Sequence, residues 1–599
     1  MYIRKTQRVY KGKTYTNHLL VESVMTPQGP RQRTVCSLGN LEPAPREQWR
    51  ALAHKMEAAL GGQRALPGQE EEALEPLVER ARQGRKVTAS MIIDPDRIDM
   101  EEHREAGPVH VGHHIWHELG LTEILSRAGL PERACLLTEV MTLNRLIFPL
   151  SEFSMPDWIR RTALGDILGT DFSGLAEDAL YRNLDKLHPQ RETLERELAE
   201  KEKTLFNLDD TIYLYDLTST YFEGEADANP EAQLGYSRDK RPDCKQVLVG
   251  LVLDRDGFPK AHETFEGNRQ DRGTVDAMLR ALEKRVGKHP AMVVVDRGMA
   301  YEENLEEIRS HGLHYLVAGR QSERNAWLDA FEEDDWHNVT RMPSPRNPFQ
   351  KKAHVALKYR EKGDEIYVLC VSEGREEKDK AIRAKQEQRL LQDLERLQRR
   401  IEQGRLKKSE KIHEAIGRLK ERYPRVARYF QIDYHKALTF DEDREKKAIA
   451  ETLDGSYVLK TDRKDLSAEE IWHAYMLLTR VESAFRSMKS PLAERPIFHH
   501  LKHRTQTHIF LCVLAYHLLT AIEKRFLDHG MHTSWWTIRQ QLSTHQVATI
   551  VLPTDNGMVL KIRKGGSPDP EQRKIYEILG IPSRVMKPVK TWHKMKYSD

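Results

Sequence analysis

The stretch from residue 211 to residue 318 constrains the fold most, because strand-forming and helix-forming segments alternate along it. Its apolar runs are "TIYLYDLTSTYFEG", "KQVLVGLVLDRDGFPKAHETF", "AMVVVDRGMA" and "LHYLVAGR", all rich in β-branched and aromatic residues. The second run contains a "DRDG" turn, which is typical of a β-hairpin. The order strand, hairpin, helix, strand, helix, strand predicts an α/β unit built around a mixed sheet flanked by helices.

At 599 residues the chain is too long for one hydrophobic core, so we expect several domains. Changes in sequence texture predict six segments: a basic, β-rich N-terminal unit with a β-hairpin over 1–45, a helical domain over 46–205, the first part of the core over 206–320, an insertion domain over 321–455, the second part of the core over 456–550 and a basic tail over 551–599. Within the insertion, apolar residues at helical spacing on both sides of Gly404 predict a charged helical hairpin.

Composition excludes several classes of protein. With 39% hydrophobic and 31% charged residues, the chain is neither disordered nor fibrous. Its five cysteines are odd in number and far apart, which argues against a disulfide framework and indicates a reducing compartment. The N-terminus lacks an apolar signal core, and the apolar run at 509–519 is too short to span a bilayer. We therefore expect a soluble, cytoplasmic protein with no membrane partner.

The net charge is only +3, so binding to nucleic acid has to come from local basic clusters. Residues 1–15 contain five Lys or Arg and no acid, and residues 560–599 contain ten against four acids. Residues 480–504 contain six against two. These stretches suit contacts with a phosphate backbone.

A well-marked helix lies in the second part of the core, in "LSAEEIWHAYMLLTRVESAFRSMKSP". Ser467 and Glu470 form a capping box at its start, and Pro491 marks its end. We therefore expect one helix of about 23 residues, roughly 34 Å long.

Glu482 interrupts the apolar pattern of this helix. Seven residues turn a helix by about 700°, so Tyr475, Glu482 and Lys489 are expected on one face, and that face is predicted to be buried. A buried carboxylate needs compensation. Either Glu482 forms an ion pair with Arg486 or Lys489, or it binds a metal ion.

Two further carboxylates strengthen the metal hypothesis. Asp216 interrupts a strand, and Asp296 follows the carboxyl end of another, where α/β sheets commonly gather functional groups. Taken singly, each is more often a cap or turn residue. Together with Glu482 they form a set of hard oxygen ligands that favours Mg²⁺ or Mn²⁺, and we expect a pair of ions that acts on a phosphodiester.

These motifs carry a family resemblance. The set "YDLTSTYFEG", "VVVDRGMA" and "YMLLTRVESAFRSMK" resembles the DDE transposases of bacterial insertion sequences. It is most similar to the insertion sequence four-like group, whose third acid lies in a Tyr, Arg, Glu, Lys signature. Tyr475, Glu482 and Lys489 match that signature, and Leu478 stands where it has Arg.

The resemblance implies a ribonuclease H-like core with a large α+β insertion domain. It implies metal-dependent cleavage of DNA at the ends of the element and transfer of the strands into target DNA. The implied partners are double-stranded DNA, as terminal inverted repeats and as target, and a second copy of the chain on that DNA. Asp216, Asp296 and Glu482 are then the catalytic residues and metal ligands. The implied DNA-binding residues are Tyr475, Lys489, Arg486 and Arg480.

Two alternatives stay open. One is a ribonuclease H-like, metal-dependent DNA nuclease without strand transfer, which would leave nicks and no joined products. The other is a catalytically inactive, transposase-derived DNA-binding protein, against which the presence of all three acids argues.

His113 and His117 lie one helical turn apart and could ligate zinc together. No third ligand lies near them in the sequence, so we interpret the pair as structural.

Overall fold

The computed structural model of the chain describes residues 1–10, 13–26, 29–41, 45–60, 77–79, 81, 93, 95–343, 349, 351–555 and 557–594. The chain forms two compact units. The smaller comprises Met1–Ile98, Leu552–Leu560 and Trp592–Asp599, and the larger comprises Asp99–Val551 and Lys561–Thr591. All of the site residues predicted from the sequence lie in the larger unit.

The smaller unit contains an antiparallel sheet of three strands. They are β1 (Tyr2–Tyr10), β2 (Lys13–Thr26) and β3 (Gly29–Gly39), followed by helix α1 (Arg46–Leu60). β2 and β3 are the strands on either side of "TPQGP", and β1 pairs with β2 as a third strand. Leu20 and Val35 of the sheet pack with Ala53 and Met56 of α1 in one buried cluster.

The larger unit begins with strand β4 (Asp99–Glu105) and a helical region. Its helices are α2 (Gly107–Glu118), α3 (Leu121–Arg127), α4 (Glu132–Ile147), α5 (Met155–Arg161), α6 (Leu164–Leu168), α7 (Glu177–Leu187) and α8 (Arg191–Phe206). Their buried side chains share one apolar cluster with a face of the central sheet. The helical region therefore packs directly on the core.

The central sheet follows the predicted order. Its elements are β5 (Ile212–Tyr221), β6 (Gln246–Asp254), β7 (Pro259–Glu266), α9 (Val275–Val286), β8 (Met292–Val295), α10 (Glu302–Ser310) and β9 (His314–Ala318). β5 pairs antiparallel with β6 and parallel with β8, and β8 pairs parallel with β9. The spatial order β7-β6-β5-β8-β9 is thus a mixed sheet.

Side chains along β5 alternate between the two faces of the sheet. Tyr213 and Tyr215 pack with α9 and α10 in one apolar cluster. Leu214 belongs to the larger cluster on the opposite face. Asp216 lies two residues after Leu214, so its side chain is on the same face of the sheet. It therefore faces the helices of the second part of the core.

The insertion region adds strands to the same sheet. Its elements are α11 (Gln321–Asn325), α12 (Leu328–Glu332), β10 (His337–Arg341), β11 (Ala353–Lys362), β12 (Glu365–Ser372), α13 (Glu373–Glu402), α14 (Ser409–Arg422), α15 (Pro424–Ala427), β13 (Phe430–Tyr434), β14 (Leu438–Glu442), α16 (Arg444–Thr452) and β15 (Ser456–Thr461). β15 pairs antiparallel with both β9 and β12, and the sheet continues through β11 to β10.

The charged helical hairpin of the insertion is formed by α13 and α14. Leu390 and Leu394 of α13 are buried against Ile412 and Ile416 of α14. Gly404 lies between the two helices at φ +65°, a conformation that glycine adopts without strain. The charged residues on the other faces stay in solvent.

The prediction of a single helix over 467–491 is wrong. The capping box is present, but the segment forms two helices, α17 (Ala468–Met476) and α18 (Thr479–Lys489). Between them the Leu478 amide donates to the carbonyl of Tyr475, and the Val481 amide donates to the carbonyl of Leu478. These three-residue bonds tighten the turn. Leu478, which lies in this turn, is buried in the core. Because the helix is interrupted between Tyr475 and Glu482, these two residues do not lie on one continuous helix face.

The chain ends in α19 (Lys502–Asp528), α20 (Trp535–Leu542), β16 (Gln546–Pro553), β17 (Met558–Gly565), α21 (Pro570–Leu579) and β18 (Val589–Lys594). Within the described part of the chain, α19 alone is long and apolar enough to cross a membrane. Its apolar window is wholly buried inside the protein, as in the core helix of a globular fold. The region expected as a basic tail contains regular elements, and β16 pairs antiparallel with β4.

Candidate active site

Asp216, Asp296 and Glu482 line one cavity of about 280 Å³. The register of the sheet brings the two aspartates side by side. Tyr215 of β5 lies opposite Val295, the last residue of the parallel strand β8, and each aspartate is the next residue along its chain. Glu482 comes from the first turn of α18, which packs against β5. Three separate elements therefore supply the three carboxylates.

The surroundings of Asp216 in the pocket raise the pKa of its carboxyl group. Burial raises the pKa of Asp216 to about 7, and the nearby charges of Asp296 and Glu482 act in the same direction. A hydrogen bond from the Leu217 amide to Asp216 Oδ1, at 2.8 Å, opposes the shift. Carboxylates that repel one another in a partly desolvated pocket are an arrangement that a divalent cation neutralises.

Two pocket residues were not predicted from the sequence, Arg238 and Asp271. They form an ion pair at 2.6 Å, and both line the cavity. The backbone amide of Arg238 donates to Ser219 Oγ, which ties the loop after β5 back to that strand. Neither residue lies in a regular strand or α-helix, so no periodic pattern marked them. The positive charge of Arg238 lowers the pKa of Asp216 and partly offsets the effect of burial.

The structure contradicts the burial predicted for Glu482 and, in the part of the chain it describes, does not show the ion pair that was one of the two alternatives for this residue. The side chain is exposed, whereas Val481 and Phe485 of the same helix are buried in the core. Among the described residues, Glu482 makes no ion pair with Arg486 or Lys489. The charge of Glu482 therefore has no protein cation to balance it.

The four residues predicted to bind DNA have different environments. Arg486 is exposed on α18, and Arg480 is partly buried at the start of the same helix. Tyr475 lines a separate cavity of about 200 Å³, where burial and then the charge of Asp296 raise its pKa. Lys489 is 11% exposed and donates to Asp239 Oδ1 at 2.8 Å, so its charge is already paired.

Asp239 is a buried anion that also accepts from Arg495. Replacing Asp239 by Asn is expected to destabilise the protein by about 2–3 kcal/mol, because it leaves two cations near the pocket without their anion. Thermal unfolding followed by circular dichroism measures this loss. Asp364→Asn is the matched control, since Asp364 is fully exposed and solvent screens its pairing with Lys464, which therefore adds little to stability. Equal melting temperatures for the two variants would contradict the prediction.

The donor atoms of the pocket fit a hard divalent cation. Asp216, Asp296 and Glu482 offer only carboxylate oxygens, the ligands that Mg²⁺ and Mn²⁺ prefer. In the part of the chain that the structure describes, neither Asp296 nor Glu482 has an ion-pair partner. The pocket is therefore acidic, open to solvent and without a competing protein cation on these two groups.

Elsewhere in the described part of the chain, three groups of side chains bring one ligand atom from each member within 4.8 Å of the others; the three pocket carboxylates are not such a group. One joins His113 and His117 to Glu139, so the third ligand that was not apparent in the sequence is present in space. His113 Nδ1 lies 2.6 Å from Glu139, which explains the burial of that carboxylate. The other groups are Glu152 with His499 and His508, and Asp276 with Glu307 and His311.

Comparison with known proteins identifies the family. Residues 207–518, more than half of the chain, match the transposase DDE domain, and residues 3–71 match the N-terminal domain of IS1634 family transposases. No curated protein matches the chain. Among solved structures, the cryo-EM structure of the piggyBac transposase synaptic complex with hairpin DNA is similar over 75% of this chain and 82% of that chain, with 8% identity and a TM-score of 0.34.

These family matches confirm the predicted transposase and, with the mixed sheet, the predicted ribonuclease H-like core. The subgroup with the Tyr, Arg, Glu, Lys signature stays a prediction. DDE transposases act on DNA, which they cleave and whose strands they transfer. The chain belongs to the DDE transposases of bacterial insertion sequences.

Proposed function

We propose that this transposase cuts DNA at the ends of its own element and joins the freed 3′-hydroxyls to target DNA with Asp216, Asp296 and Glu482 as its catalytic residues. The observation that carries the proposal is the single pocket lined by all three carboxylates. These residues come from two adjacent parallel strands and a helix packed on them, and the strand register keeps the two aspartates adjacent.

The three carboxylates would hold Mg²⁺, or Mn²⁺ in its place, as a pair of ions. Such ions supply an activated hydroxyl or water and stabilise the leaving oxygen of the phosphodiester. The chain itself orients the ligands. The Leu217 amide holds one oxygen of Asp216, and all three acids line the same pocket. With its raised pKa, Asp216 must release a proton before it can act as a ligand near pH 7.

The partner is double-stranded DNA, first the terminal inverted repeats and then the target, bound by a homodimer. Arg486 is exposed and, within the described residues, has no ion-pair partner, so it can reach a phosphate directly. Arg480 and Tyr475 flank the break between α17 and α18 and would contact the same strand. Lys489 would do so only after it leaves Asp239. The site of action would be the bacterial cytoplasm, on the nucleoid.

The test is excision and joining on a plasmid that carries the DNA flanking the reading frame. With the wild-type chain and Mg²⁺ we expect a precisely excised element and joined products, detected by gel electrophoresis and sequencing. Chelation of the metal with EDTA should abolish both products, and added Mn²⁺ should restore them.

The other outcomes identify the rival functions. Cutting without any joined product would mean a nuclease and would contradict strand transfer. Tight binding without cutting at any metal concentration would mean an inactive DNA-binding protein. Cutting that persists in EDTA would contradict the metal-dependent mechanism.

A further inference from the structure

A basic cavity lies beside the carboxylate pocket. It measures about 630 Å³ and lies between β9, the start of β15 and the helices of the insertion. Eight of its lining side chains are cationic and two are acidic. Both acids are engaged, since Asp379 accepts from the Gly455 amide at 3.1 Å and Asp454 pairs with Arg383. The cavity therefore carries a large net positive charge.

Seven of these cations, all but Arg383, have no carboxylate partner in the described structure. One of the seven, Arg320, lies over the ring of Tyr301. We call the other six the basic pocket residues: Arg297, Arg324, Arg375, Lys378, Arg425 and Arg428. Arg324 is partly buried, and the pKa of its guanidinium is lowered by burial and then by the charges of Arg297 and Arg428. Arginines that repel one another around a cavity are stabilised by an anion between them. This cavity is thus built to hold negative charge.

Position connects the basic pocket to the proposed active site. Arg297 lines the basic cavity, and its neighbour Asp296 lines the carboxylate pocket. The other walls come from the insertion: Arg375 and Lys378 from the first turns of α13, and Arg425 and Arg428 from α15 and its end. A strand that leaves the carboxylate pocket past Asp296 meets these cations next.

The side chains of the basic pocket residues are better suited to bind phosphate groups than bases. Five of the six cations are arginines, whose planar guanidinium matches the oxygens of a phosphate in pairs. Most of them are exposed at the mouth of the cavity, where a passing chain can touch them. The Arg375 guanidinium lies over the ring of Tyr457, 4.7 Å from its centre, which fixes the direction of that side chain.

We propose that the basic pocket residues bind the sugar-phosphate backbone of the DNA strand that continues from the carboxylate pocket. The insertion then has a direct function, because it closes the wall of a DNA-binding cavity that the core alone leaves open. Contacts of this kind are independent of base sequence. The choice of DNA as the polyanion rests on the proposed function.

The test measures DNA affinity against salt for the full chain in EDTA, so that cleavage plays no part. Fluorescence anisotropy with a labelled duplex of arbitrary sequence gives the dissociation constant at about 50 to 200 mM KCl. The double variant Arg375→Gln/Arg428→Gln should bind about tenfold or more weakly, and the slope of log affinity against log salt should fall by roughly 1.5 to 2.

The matched control is Arg396→Gln/Arg399→Gln, on the same helix α13. These arginines are exposed and lie about 32 Å and 36 Å from Arg375 along the helix, so their removal should leave affinity and slope unchanged. All four substituted arginines are exposed, although Arg375 stacks on Tyr457 and the control arginines form ion pairs with Asp393 and Glu395. Circular dichroism would verify that each variant is folded.

The outcomes separate this proposal from the proposed function. A double variant that matches the wild type in affinity and slope overturns the basic pocket, even if the wild type excises its element. A wild type that never cuts its flanking DNA but loses affinity in the double variant overturns the proposed function and supports the pocket. Equal thermal stabilisation of the wild type by inorganic phosphate and by DNA would indicate a small-anion site and overturn the DNA assignment.

Discussion

Replacing Asp216 by Asn is expected to abolish DNA cleavage and, at the same time, to stabilise the metal-free protein above pH 7. Loss of a shared metal ligand should lower the rate about a thousandfold or more, since several kcal/mol of transition-state stabilisation depend on it. The gain in stability has a different origin. The pocket that favours a cation penalises the ionised carboxylate when no cation is bound.

The direction of the change in stability follows from the pKa of Asp216, which is about 7 in the folded protein. An unfolded aspartate titrates near pH 4, so between about pH 4 and 7 the folded state binds more protons and stability falls as the pH rises. Well above pH 7 the penalty is complete, on the order of 4 kcal/mol. Asparagine carries no such penalty. The variant should therefore melt higher than the wild type at pH 8 and at nearly the same temperature below pH 4.

Thermal unfolding of both proteins from pH 4 to pH 8, with and without Mg²⁺, measures this effect. Mg²⁺ should raise the melting temperature of the wild type at pH 8 much more than that of the variant. Asp441→Asn, at an exposed position on β14, is the control and should show neither effect. A variant that still cuts DNA within tenfold of the wild type would contradict the assignment of Asp216.

Replacing Glu482 by Gln is expected to lower cleavage and joining by a similar factor while leaving the fold intact. The side chain is exposed, and the described structure gives it no ion pair, so its removal breaks no contact that stabilises the protein. DNA binding in EDTA should be unchanged or tighter, because one negative charge near the strand is removed. Single-turnover cleavage assays and anisotropy measure the two effects separately.

Glu469→Gln is the matched control for Glu482→Gln. Glu469 is an exposed acid on the preceding helix α17, and it contacts His473 and not the pocket. Cleavage by this variant should stay within about twofold of the wild type. If Glu482→Gln retained full activity, the third carboxylate would have to be another residue, and Asp271 is the acid that already lines the same cavity.

Much of the fold could be predicted because local sequence patterns report local structure. The alternation of apolar runs between 211 and 318 corresponds to β5 through β9, and the heptad-like seam around Gly404 corresponds to α13 and α14. Local sequence patterns also pointed to Asp216 and Asp296 as candidate site residues. Each interrupts or ends an apolar strand, and in a parallel pair such positions become neighbours.

The sequence by itself determined the order of the strands, the hairpin of the insertion, the capping box at Ser467 and the three carboxylates. Only the tertiary structure decided how these parts meet. The one expected helix is two helices with Leu478 buried at the break between them, because packing of a side chain in the core can outweigh the continuation of a helical pattern, and Glu482 is exposed to solvent. Likewise, Lys489 pairs with Asp239, which is 250 residues away in the sequence, and six cations from separate segments line one cavity. Such long-range contacts leave no local period in the sequence, since they depend on how distant segments pack.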